Sequence, residues 1–205
     1  MNTMLTPTIN MTSLGLIALA FFLGSIPFAY LVGKLRGIDI RQHGSGNVGA
    51  TNAFRVLGAT FGALTLILDA GKGALAAWLG LAQGETMAVV AGLAAILGHT
   101  FSPFMKFKGG KGVASAAGVV LLLVPDVTLI CLLAFGLAVF LTKYVSVGSL
   151  TAAVLLPLLM FFLHKPVPYQ LFALVTALFV IYRHSSNIRR LLAGTENPIT
   201  GKQHK

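Results

Sequence analysis

Residues 44–55 read GSGNVGATNAFR, a polar stretch with three glycines set between long apolar segments. Lacking a Cβ, Gly44, Gly46 and Gly49 let backbone N–H groups come close to an anion such as phosphate. Ser45, Asn47, Thr51 and Asn52 add neutral donors, and Arg55 adds a guanidinium fork matched to phosphate oxygens. The same glycines would also suit a re-entrant turn packed tightly against helices. Although GSGNVG is literally G-x-G-x-x-G, a dinucleotide site needs a preceding strand and a βαβ unit, and here the flanking segments have the composition of membrane spans.

A second cluster, KFKGGKGVA at 106–114, sets Lys111 between Gly110 and Gly112, with Gly109 just before. It fails the Walker pattern, because Met105 stands where the first glycine belongs and no Ser or Thr follows Lys111. The cluster still opens an apolar segment, and a helix N-terminus there would favour an anion through its free N–H groups and its dipole. Lys106 and Lys108 read as ordinary membrane-face anchors. A third cluster, YRHSSNIRRLLAGTE at 182–196, places His184, Asn187, Ile188 and Leu191 along one face if it is helical. That pattern fits an amphipathic tail whose arginines bind lipid headgroups. It fits equally a histidine that moves a proton while an amide orients it.

The elements that must position these residues are apolar helices. Of 205 residues 56% are apolar and 10% charged, mean hydropathy is +0.87, and no soluble core could carry so little polar surface. The expected fold is all-α, a polytopic membrane protein forming one domain over 1–205, with flexible tails at 1–11 and 197–205. Its net charge of +10 is scattered over short loops without an aromatic platform, so it reads as topology plus an anionic ligand rather than nucleic acid. No basic residue precedes the first apolar stretch, as a cleaved signal peptide would require. Cys131 is the lone cysteine and lies in an apolar run, which leaves no disulfide and no metal pair.

Apolar segments fall at about 12–33, 57–82, 86–105, 112–124, 127–142, 147–163 and 168–182. Whether 112–142 is one span or two, with a turn at Pro125–Asp126, is decided by charge. Two spans make seven in all, with the N-terminus outside and the C-terminus in the cytoplasm. Lys34, Arg36, Arg41, Arg55, Lys106, Lys108, Lys111, Lys143, Arg183, Arg189, Arg190, Lys202 and Lys205 then lie inside, and only Lys165 outside. With one span the same residues divide almost evenly, so the bias of basic residues to the cytoplasm selects seven. All three clusters and the YVSVGS run at 144–149 then sit at cytoplasmic span ends, where one site can collect them. Asp69 and Lys72, three apart inside a span, are expected to pair, because a lone charge there costs about 2.5–3.5 kcal/mol. His99 reads as a packing residue outside the site.

In this order and frame, GSGNVGATNAFR, LGHTFSPFMKFKGGKGVA and YRHSSNIRRLLAGTE resemble the bacterial acyl-phosphate glycerol-3-phosphate acyltransferases over nearly the whole chain. The resemblance implies transfer of a fatty acyl group from acyl phosphate to the 1-hydroxyl of glycerol 3-phosphate. The products are lysophosphatidate and inorganic phosphate, formed in the bacterial inner membrane at a site facing the cytoplasm. Ser45 and Arg55 match the essential serine and arginine of the family's first motif, and Lys111 the lysine of its second. His184 and Asn187 match the third, Glu196 its terminal, structural acid, and Ser146 a polar residue lining the site.

Such chemistry asks for orientation and charge neutralisation. Acyl phosphate already carries its leaving group, so no cofactor and no metal is expected. The proton of the acceptor hydroxyl can pass to His184 or to the substrate's own phosphate. Expected partners are the two substrates and membrane lipid, without an obligatory protein partner. A transporter of an organic phosphate would share the cationic cluster but should show broken helices near the midplane. A metal-dependent phosphotransferase would need a carboxylate cluster, and five acidic residues, two of them external, do not assemble one.

Overall fold

The computed structural model describes residues 10–199, which are helical with no strand among them. Expectations for residues 1–9 and 200–205, including most of both tails, lie outside the described residues. The Asn10 carboxamide caps α1 (Met11–Ser25) by accepting from the Ser13 N–H at 2.9 Å. At the other end the Ile199 N–H donates to the Lys143 carbonyl at 2.8 Å.

The first apolar segment, expected as one span over 12–33, is broken at Ile26–Pro27 and resumes as α2 (Phe28–Leu35), because proline cannot continue the helical ladder. A short helix, α3 (Ala50–Leu57), follows the first polar loop and was not foreseen as a separate element. Gly58 at φ +84 then redirects the chain into α4 (Ala59–Leu81). Next come α5 (Glu85–Thr100), α6 (Val113–Leu123), α7 (Pro125–Thr142), α8 (Val145–Phe162), α9 (Val167–Arg183) and α10 (Ser185–Leu192). The 182–196 stretch is therefore not one helix. It breaks at His184, and α10 leaves α9 at 55°.

Five segments are long and apolar enough to cross a membrane: 11–35, 59–81, 85–105, 125–142 and 145–162. Counting α9 with its bent partner α10 makes six. α6 has only 11 residues, roughly 17 Å at 1.5 Å per residue, against a hydrocarbon core of about 30 Å.

Small residues bring the helices together where lipid supplies no hydrophobic drive. Gly24 packs on Ala95 and Gly98 on Phe21 between α1 and α5, while Gly73 packs on Ser115 and Gly118 on Ala70 between α4 and α6. In each case a methyl group would meet partner backbone. Valines 119, 120, 124 and 127 with Met160 and Phe172 fill the core between α6, α7, α8 and α9. One end of the bundle is laced by Ser13 to Gln83 at 2.7 Å and by Lys165 to Asp126 at 2.6 Å. Glycine-rich loops and the two short helices gather at the opposite end.

Candidate functional site

Four helices begin around one cavity at that opposite end. α3 opens after Gly49, α6 after Gly112, α8 after Tyr144 and α10 after His184, and residues from the first turn of each line the cavity. In these helices the first N–H donating back along the chain belongs to Asn52, Ala116, Gly148 and Ile188. The N–H groups ahead of them are left for other partners, and each helix brings its positive dipole end to the cavity wall. Such an arrangement favours an anion.

The cavity encloses about 590 Å³. At its polar end stand Ser45, Asn47, Thr51, Arg55, Lys111, Ser146, His184 and Asn187. Its other end runs between α6, α7, α8 and α9 along Val120, Cys131, Leu132, Phe135 and Leu156. A ligand with a charged head and an apolar tail matches both ends.

The polar end is cross-linked by hydrogen bonds. Lys111 Nζ donates to Asn187 Oδ1, and Asn187 Nδ2 donates to Glu196 Oε1 at 2.6 Å. Ser146 Oγ donates to the same carboxylate oxygen at 2.9 Å, and Arg190 Nε donates to Oε2 at 2.7 Å. Burial pushes the Glu196 carboxyl up, but its donors Asn187, Arg190 and Ser146 outweigh that and hold it below the usual carboxylate range. Arg55 Nη2 donates to the Asn197 carbonyl at 2.9 Å, while its Nε is buried without a partner.

At the polar end Arg55, Lys111, Arg183 and Arg190 thus stand around one carboxylate, Glu196, and the excess is positive, because Asp69, which also borders the cavity, is paired with Lys72. Burial, with Arg190, Arg55 and Arg183 nearby and only Glu196 opposing, pulls the Lys111 ammonium down to about 8. Burial also lowers Arg55. An arriving phosphate would relieve both strains, since it supplies the negative charge the site lacks.

His184 sits in the turn after α9 and is 3% exposed. Burial and the Lys111 charge depress its imidazole to about 4, so it is neutral near pH 7. Its Nδ1 lies 2.8 Å from the Val180 carbonyl, which can only accept, so Nδ1 carries the hydrogen and Nε2 presents a lone pair.

Of the residues expected from sequence, Ser45, Gly46, Asn47, Gly49, Thr51, Asn52, Arg55, Gly109, Lys111, Gly112, Ser146, His184 and Asn187 line this one cavity, Ser45 from its exposed rim, while Gly44 and Gly110 do not. Several of these have bonds or packing of their own. Asn52, expected as a donor to substrate, is fully buried and spends its amide inside the first loop, giving Nδ2 to the Ile40 and His43 carbonyls and accepting the Ser45 N–H. Gly44, at φ +61, leaves room for that Asn52 oxygen. Gly46 lies against the Arg41 carbonyl at φ +69.

The N–H groups of Gly109 and Gly110, expected to face phosphate, are already given to the Thr100 and His99 carbonyls at 2.9 and 3.1 Å. These two glycines serve close packing. Glu196 was expected to be structural and Arg190 to face lipid headgroups or water. Neither expectation foresaw the shared network, because Arg190 turns inward only once α10 has bent away from α9.

A protein-family model described as glycerol-3-phosphate acyltransferase matches residues 14–194. The chain belongs to this family. A glycerol-3-phosphate acyltransferase of Fusobacterium nucleatum is 50% identical over 186 residues, covering 88% of this chain and 95% of that protein. One from Syntrophomonas wolfei is 46% identical over 194 residues, covering 94% and 100%. Among solved structures, PlsY (YgiH), an integral membrane glycerol 3-phosphate acyltransferase in its glycerol 3-phosphate form, superposes with a TM-score of 0.88. The two are 41% identical over 93% of this chain and 96% of that one. The lysophosphatidic acid form of PlsY gives 0.86. Family membership makes this chain a membrane-integral acyltransferase, and the converging helix starts are its most prominent polar feature.

Proposed function

We propose that the chain transfers a fatty acyl group from acyl phosphate to the 1-hydroxyl of sn-glycerol 3-phosphate, releasing lysophosphatidate and inorganic phosphate. One observation carries the reading. The cavity joins a cationic end ringed by helix N-termini to an apolar end between membrane helices, as a phosphate head and an acyl chain require.

In the reaction the glycerol 3-phosphate hydroxyl attacks the acyl carbonyl carbon, the C–O bond to phosphate breaks, and the hydroxyl proton leaves with a base. Arg55, Lys111 and the free N–H groups of α3, α6 and α10 meet the phosphate charge and the oxyanion. Ser45 and Asn187 orient the acceptor. Asn187 is held by Glu196 and Lys111, so its amide cannot turn, and Ser146 anchors Glu196 from α8. The Nε2 lone pair of neutral His184 accepts a hydrogen bond from the hydroxyl, and either this nitrogen or the donor phosphate takes the proton. The acyl chain lies along Cys131, Leu132 and Phe135.

The frame for this chemistry is seven crossings of the bacterial inner membrane with the C-terminus in the cytoplasm, supported by the thirteen-to-one division of basic residues. In that frame α6 is a short crossing that opens directly after the glycine cluster holding Lys111. Purified protein in detergent, given acyl phosphate and radiolabelled glycerol 3-phosphate, tests the reading by formation of labelled lysophosphatidate.

A further inference from the structure

Beneath the site lie three ionisable side chains that the proposed reaction does not use. Asp69 and Lys72 on α4 and His99 near the end of α5 are each 7% exposed or less. As expected from their spacing, Asp69 and Lys72 pair, with Nζ 2.8 Å from Oδ1. Lys72 also donates to the Ile26 carbonyl at the break between α1 and α2, at 2.8 Å. His99 Nδ1 lies 3.4 Å from the same Asp69 oxygen, and both residues border the cavity. Ionisable groups are costly at membrane depth, so three in one place call for a purpose.

His99 meets the second glycine cluster twice. Its carbonyl accepts the Gly110 N–H, and the next carbonyl, that of Thr100, accepts the Gly109 N–H. The Nε2–Cε1 edge of its ring abuts Gly110, so that a methyl group there would collide with Nε2 and crowd the Val48 carbonyl of the first loop at 2.8 Å. A methyl on Gly109 would collide with the His99 carbonyl. The residue that follows is Lys111.

We propose that His99, oriented by Asp69, is a positioning residue for phosphate binding. It sets the height of the Gly109–Gly110 segment and thereby holds the Lys111 ammonium at the cationic end of the cavity. Lys72 balances the Asp69 charge and ties the unit to the α1–α2 break. The imidazole acts through that segment and touches no reacting atom. The inference rests on Lys111 being a phosphate ligand. Wild-type protein inactive with acyl phosphate would sink that reading, whereas active wild-type with indifferent His99 variants would sink this inference alone.

The test is steady-state kinetics of full-length H99A, G110A and the double variant with acyl phosphate and glycerol 3-phosphate, after thermal unfolding has verified folding. Each single change should raise the KM for a phosphate substrate about tenfold or more while kcat stays within about threefold. The double variant should have a lower KM than G110A alone, because removing the ring makes room for the methyl. A purely structural role would instead depress kcat or folded yield and compound in the double variant. Unchanged KM in H99A, or multiplied effects in the double variant, would overturn the proposal. Should H99A not fold, H99F keeps the ring and drops its link to Asp69. A raised KM there supports the proposal, and an unchanged KM refutes it.

Discussion

Lys111 and Asn187, 76 residues apart, share a hydrogen bond in which the ammonium donates to the side-chain carbonyl. Because the other end of the same amide donates to Glu196, the orientation of Asn187 is fixed and the lysine is aimed without being neutralised. A carboxylate in that place would pair with Lys111 and cancel the charge offered to phosphate. Replacing Asn187 by Asp should therefore harm glycerol 3-phosphate use more than replacing it by Ala. The comparison is kcat/KM for the two variants, and equal losses would mean that Asn187 serves only as packing.

Arg55 and Lys111 are half-buried at the cavity wall, whereas Lys106 is exposed on the loop before it. Neutral replacement of either cavity cation should cost about 2–4 kcal/mol of transition-state stabilisation, roughly 30- to 1,000-fold in kcat/KM, since the phosphate would stay desolvated and unpaired. K106A should change kcat/KM by less than about twofold. Similar losses at Lys106 and Lys111 would show a diffuse basic patch.

The Lys111 ammonium, lowered to about 8, implies a pH dependence with a definite sign. Below that value the unliganded site holds a cation, and above it the cation is lost. KM for the phosphate substrates should thus rise as pH climbs from 8 towards 10, approaching tenfold per unit. In K111R, whose guanidinium stays charged, KM should be flat over the same range. A flat wild-type profile would show that Lys111 is not the cation that binds.

His184 presents Nε2 because Val180 holds Nδ1. If the imidazole takes the proton, H184A should lose kcat by about 100-fold or more with little change in KM. If the donor phosphate takes it, KM should suffer and turnover should persist.

In the proposed frame of seven crossings, Gly84 and Pro166 would lie outside and Gln42 inside. In a C131A background, single cysteines at the first two positions should react with an impermeant thiol reagent on intact cells, and one at position 42 should not. Labelling at 42 in sealed cells would reverse the topology.

Most of the site was legible in the sequence because its three clusters are local and compositionally out of place among apolar segments. Where those clusters meet was legible too, through the charge bias that gathered them at one end. Less visible was which polar groups are free. Gly109 and Gly110 look like Gly112 in sequence, but only the fold shows their N–H groups given to Thr100 and His99. Asn52 looks like Asn187 and is consumed inside its own loop. Long-range closure also hid the bend at His184, which turns Arg190 onto Glu196, and the contact of Asn197 with Arg55. The number of crossings was harder to read. Hydropathy finds the apolar stretch at 112–124 and α6 matches it within a residue at each end, but 11 helical residues are short for a crossing.

Acyl phosphate as donor, met by the chain's own cations and helix ends, is the central claim. It is tested most directly by mixing purified full-length protein with acyl phosphate and glycerol 3-phosphate in excess EDTA, and measuring lysophosphatidate and released phosphate together. Equal amounts of both should form, at a rate unaffected by the chelator. Activity that EDTA abolishes and Mg²⁺ restores, or that appears only with an acyl thioester donor, would contradict it.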